Sequence, residues 1–148
     1  MIKKNANDIE YIYNEGELIC TILRKDFRND KINFFTPDTL SQQLGYLPHK
    51  KGDIIKAHKH KINKREVLYT QEVLFIKKGK VKVNLYDNRN IFIGSVILEN
   101  NDIILLCSGG HGFEILEDTA IIEVKHGPYV GVDDKERFEG VEGKNDCR

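Results

Sequence analysis

The chain has 148 residues, 40% hydrophobic and 31% charged, a composition that suits one globular domain with a core of its own. Lysine plus arginine and aspartate plus glutamate each number 23, so formal net charge is zero, which argues against a broad electrostatic grip on nucleic acid or an anionic membrane. No apolar run approaches a membrane span, and the start, Met1-Ile2-Lys3-Lys4-Asn5-Ala6-Asn7-Asp8, lacks the apolar stretch of a signal peptide.

Short strand-like runs follow one another with polar turns between them. Residues 10–13 precede the turn Asn14-Glu15-Gly16, and residues 18–23 form a continuous apolar strand. After Phe34-Phe35-Thr36-Pro37, Asp38 or Thr39 is placed to cap one short helical turn running toward Gly45. Strands are then expected over 53–60, 67–77, 80–86, 91–98, 102–107, 112–116 and 119–125. Lys77-Lys78-Gly79-Lys80 and Asp87-Asn88-Arg89-Asn90 read as hairpin tips. No segment has a long 3.6-residue period, so the expectation is an all-β sandwich or barrel. The three cysteines, Cys20, Cys107 and Cys147, are odd in number and widely spaced, which is not a disulfide framework and points to a reduced, cytoplasmic protein.

The segment from Gly52 to Gly79 carries the most chemistry. His58 and His60 are two residues apart, so on a strand both imidazoles face the same way. Glu72 follows, with Gly79 seven positions on, and His111 sits in Gly109-Gly110-His111-Gly112. A lone histidine reads as an ordinary surface or core residue. Two on one face, with a carboxylate and a third histidine, read as a metal site. Glu66 is a rival carboxylate, but Glu72 leads into the strand–Gly–strand run Val73-Leu74-Phe75-Ile76-Lys77-Lys78-Gly79-Lys80. Three imidazoles and one carboxylate suit Fe, Mn, Ni, Co or Zn as divalent ions, without choosing among them.

These residues resemble the first motif of the cupins, G-x5-H-x-H-x3-4-E-x6-G, through Gly52, His58, His60, Glu72 and Gly79, except that eleven residues separate His60 from Glu72. The second cupin motif is reduced to a strand, a glycine turn and His111. Phe34 to Tyr46, Thr70 to Val83, Cys107 to Asp118 and Glu123 to Phe138 further resemble a subgroup of small, single-domain bacterial cupins similar to those encoded beside surface-polysaccharide and nucleotide-sugar genes. The resemblance implies a double-stranded β-helix, the cupin jelly-roll barrel, over residues 51–130. Residues 1–50 would add N-terminal strands and a dimer-associated extension, with the 18–23 strand as a candidate for exchange, and 131–148 would form a polar tail. It implies one divalent metal held by His58, His60, Glu72 and His111, a homodimer, and a role in carbohydrate metabolism.

The function so implied is that of a sugar or nucleotide-sugar isomerase or epimerase. The alternatives are a ferrous dioxygenase and a non-catalytic small-molecule-binding cupin. Lys56, Lys59, Lys61, Lys64 and Arg65 form a basic rim near the histidines that suits an anionic ligand or, equally, a solvated strand edge. Gln43, Arg65, Tyr69, Gln71, Glu114, His126 and Tyr129 are candidates for lining the barrel mouth, although Gln71 beside Glu72 and Glu114 three residues after His111 belong by alternation to opposite faces. In the subgroup the position of His126 is usually Gln, so His126 is not counted among the metal ligands.

Overall fold

The computed structural model describes residues 1–144. Its strands are β1 (Ile2–Ala6), β2 (Ile9–Asn14), β3 (Glu17–Leu23), β4 (Asn33–Phe34), β5 (Gly45–Tyr46), β6 (Glu72–Lys78), β7 (Lys80–Tyr86), β8 (Phe92–Glu99), β9 (Ile103–Leu106), β10 (Gly110–Ile115) and β11 (Ala120–Lys125), followed by a 3-10 turn at Gly131–Asp134. A six-stranded antiparallel sheet runs β1-β2-β3-β9-β6-β11, a three-stranded one β10-β7-β8, and β4 pairs with β5. The architecture is all-β. Among the described residues no helix is long and apolar enough to cross a membrane.

Strand alternation builds the core. Ile12, Ile22, Leu74, Ile76, Ile104 and Leu106 project from the inner face of the large sheet. They meet Val81, Val83, Leu85, Val96 and Leu98 of the small sheet in one buried cluster. The intervening residues of the large sheet, among them Val73, Ile103, Leu105 and Cys107, turn to its other face. There they are covered by Phe27, Phe35 and Leu44 from the segment between β3 and β6. Phe27 stacks edge-on against both Phe35 and Tyr46, with centroids 5.1 Å apart in each pair. The large sheet is therefore the middle of three layers, which explains why 18–23 and 103–106 are continuous apolar runs rather than alternating ones.

Several expectations are corrected. Among the described residues the sheets do not close into a barrel: β10 pairs with β7 alone, and β11 with β6 alone. No strand forms over 53–60; between β5 and β6 the chain is irregular, and residues 51–70 are exposed throughout. A strand needs a partner to hold its backbone groups, and here the His-x-His segment has none, so its alternation is not expressed. The 38–45 stretch makes turns rather than a helix, because Gln43 Nε2 donates to the carbonyls of Pro37 and Leu40 and Leu44 turns inward. β1 is an additional strand, fully exposed along its length and joined to β2 through the backbone. β3 is paired on both sides within the chain, with β2 and β9.

The registers give the sandwich two unlike ends. Lys80 faces Glu99, Leu23 faces Ile103 and Lys78 faces Ala120, so the short turns between these strands gather at one end. Glu72 faces Leu106 and Lys125, and Tyr86 faces Gly110 and Phe92, so the β7–β8 and β9–β10 connections, the entry to β6 and the exit from β11 gather at the other, the open end.

Candidate functional site

Glu72 is the first residue of β6 and shares its inward face with Leu74 and Ile76. It is 4% exposed, a carboxylate at the rim of an apolar core. His111 is the second residue of β10, on the same face as Phe113, which packs on that core. The two sheets thus aim both side chains into the gap between them at the open end. His111 Nε2 lies 3.1 Å from Glu72 Oε2, and Lys135 Nζ lies 3.4 Å from Glu72 Oε1. The hydrogen bond from His111 outweighs desolvation and, with the Lys135 charge, holds the Glu72 carboxyl down to about 2.

The pair opens on a pocket of 460 Å³ whose wall includes Thr70, Phe113, Lys135 and Phe138. His111 also borders a neighbouring pocket of 630 Å³, whose wall includes Tyr69 and Ser108. The backbone delivers His111 through Gly109, which has φ +70°, and a Cβ there would collide with the Tyr86 carbonyl. On the opposite face of β10, Glu114 accepts from Asn84 Nδ2 at 2.8 Å and Lys82 Nζ at 3.0 Å. These two contacts lower its carboxyl below the usual value. Glu114 therefore faces away from the Glu72–His111 gap.

The remaining sequence candidates are dispersed. His58 and His60 stand in the exposed 51–70 stretch with their rings 5.6 Å apart, and His58 Nδ1 contacts the Lys56 carbonyl at 3.0 Å. Among the described residues, no three His, Cys, Asp or Glu side chains are grouped closely enough to hold a metal ion. Arg65 and Glu66 border a separate pocket with Asp38, Ser41 and Gln43. Gln43 also accepts from Thr36 Oγ1 at 2.7 Å, so its amide serves the loop. Gln71 turns to the outer layer, accepting from Ser41 Oγ and the Gln42 N–H at 3.0 Å. His126 Nδ1 accepts from the Gln71 N–H at 3.1 Å, which fixes that nitrogen beside β6. Tyr69 and Tyr129 are exposed, Tyr129 with Lys125 Nζ 5.8 Å from its ring centre. Burial pushes the Cys107 thiol up to about 12 and the Cys20 thiol higher still, so neither is a nucleophile. Cys147 lies outside the described residues.

Half of the expected donor set, Glu72 and His111, is brought together. Nitrogen and oxygen ligands at about 2.1 Å from one ion stand roughly 3.0–3.4 Å from each other, and the Glu72–His111 separation falls in that range. Lys135 already supplies a cation to the same carboxylate. The other half, His58 and His60, is not brought to it. Lys135 and Phe138 are pocket residues that the motif reading did not single out. The signal for Phe138 was the glycines flanking His111: Gly110 and Gly112 leave one face of β10 bare, and a bare strand face marks close approach of another segment. No protein-family model, curated protein or solved structure matches this chain.

Proposed function

We propose that this chain is a small cytoplasmic jelly-roll protein of the cupin type, binding one divalent transition metal and acting as an isomerase or epimerase on a sugar-derived ligand. The observation that carries the reading is the meeting of Glu72 and His111, from two different sheets, at the wall of a pocket. In this reading residues 53–60 pair with the open edge of β10, closing the barrel and bringing His58 and His60 to the same pocket. Two features support that closure: β10 has a free edge beside His111, and the segment with strand-like histidine spacing has no partner. Arg65 and the lysines around His58 and His60 would then form a basic rim suited to an anionic ligand.

A bound metal would supply a Lewis acid for vicinal oxygens of the ligand. Glu72 anchors and orients His111, and Phe113 and Phe138 form the apolar part of the pocket wall. A ferrous dioxygenase would use the same donor set. A homodimer belongs to the proposal, with the outer strand β1 as the edge open to pairing.

The experiment is elemental analysis of untagged protein, for the wild type and for His58→Ala/His60→Ala. Near-stoichiometric metal that disappears in the double variant is expected, together with slower hydrogen exchange over 53–60 and 110–115 when metal is present. An absence of metal after purification and after reconstitution overturns the metal reading. The second reading is then a metal-free binding or proton-transfer site, favoured by the contact Glu72 and His111 already make.

A further inference from the structure

After β11 the chain crosses the open end and returns along the small sheet. Asp134 is tied down by Thr70 Oγ1 at 3.3 Å and Lys125 Nζ at 3.6 Å. Lys135 then reaches into the mouth of the pocket to Glu72. Phe138 lies edge-on against Tyr86, with centroids 5.0 Å apart. It fills the space above Gly110, where a Cβ would come within 2.8 Å of its ring. Glu142 ends the crossing: its Oε1 accepts from Tyr86 Oη at 2.7 Å and Asn84 Nδ2 at 3.2 Å, while the Val141 N–H donates to Tyr86 Oη at 2.8 Å. A side chain at Gly112 would collide with Glu142. Gly110 and Gly112 thus form a groove shaped to this strap, on the face of β10 opposite His111.

We propose that residues 134–142 are a lid over the Glu72–His111 pocket, seated in the glycine groove and latched by Lys135, and that a divalent cation and Lys135 compete for Glu72. The cation arm rests on the metal reading above; the lid does not. The competition is uneven by construction. Lys135 is half in solvent and holds Glu72 through one long ion pair, a contact that is weak in water. A cation coordinated directly by Glu72 and His111 displaces it and loosens that end of the strap, which is then held only by the exposed contacts of Asp134 with Thr70 and Lys125, while Phe138 and Glu142 keep the other end seated for reclosure.

Trypsin reads the latch, because Lys135 and Arg137 are its cleavage sites within the strap. Full-length protein stripped of metal is digested with and without Mn²⁺, alongside Lys135→Met and Phe138→Ala, with circular dichroism confirming that each variant is folded. Slow cleavage after Arg137 is expected in the metal-free wild type, about two- to fivefold faster cleavage in Lys135→Met, at least tenfold faster cleavage in Phe138→Ala, and acceleration of the wild type by Mn²⁺ toward the Lys135→Met rate. Lys135→Met, having no latch to lose, should not respond to Mn²⁺. A metal-free wild type cut as fast as the variants overturns the lid. Mn²⁺ bound by calorimetry without faster cleavage overturns the competition. Protection without any bound metal supports the lid and overturns the metal reading instead.

Discussion

Glu72 joins a near-buried position to an ionised carboxyl, and only its partners make that combination stable. Its ordinary value is 4.5, and His111 and Lys135 hold it down to about 2 in the folded chain. A depressed carboxyl contributes stability in full above its unfolded value and loses it as pH falls through the folded one. Wild-type protein should therefore lose stability as pH drops from about 4.5 toward about 2, and Glu72→Gln should flatten that part of the profile; urea midpoints measured across this window check it. Glu72 was legible in the sequence because it opens a strand–Gly–strand run, and His111 because it sits in a glycine turn. Lys135 was not legible, since nothing in the local sequence tells which of 23 basic side chains a distant carboxylate will meet.

Among the elements, the strands covered on both faces were the easiest to find. β3, β6, β7 and β9 each keep an apolar series that the core uses directly. β1 was missed because Ile-Lys-Lys-Asn-Ala has no inward face; it exists through its backbone ladder to β2. The 53–60 segment failed in the opposite way. Histidine spacing records where side chains would point if a strand formed, but not whether a neighbouring strand stands beside it. Turn chemistry transferred well: Gly79, at φ +91°, joins β6 to β7, and a Cβ there would meet the Asp118 carbonyl and Thr119. Gly79→Ala should cost about 1–3 kcal/mol, seen as a lowered urea midpoint with an unchanged slope.

At the scale of the whole molecule, one arginine clasps the two sheets. Arg24, just past β3, donates from Nε to Glu10 Oε1 at 2.7 Å and from Nη1 to Asp102 Oδ2 at 2.7 Å and to the Ile97 carbonyl on β8 at 2.8 Å. Asp102, 3% exposed, also accepts the N–H groups of Lys25 and Glu99. Asp102→Ala leaves the Lys25 and Glu99 N–H groups without their acceptor, while Arg24 keeps Glu10 and the Ile97 carbonyl; it should cost about 1–3 kcal/mol in urea unfolding, while the trypsin rate of the strap, at the far end, stays at its wild-type value.

That clasp has a consequence for how such a chain can change over generations. Arg24, Glu10, Asp102 and the Lys80–Glu99 pair secure one end without contributing an atom to the pocket. The connections at the other end, 87–91 and 126–130 among them, are free of that duty. Outside Glu72 and its partners, the contacts that secure the fold lie away from the pocket, so the open end can drift toward new ligands while the clasped end preserves the architecture.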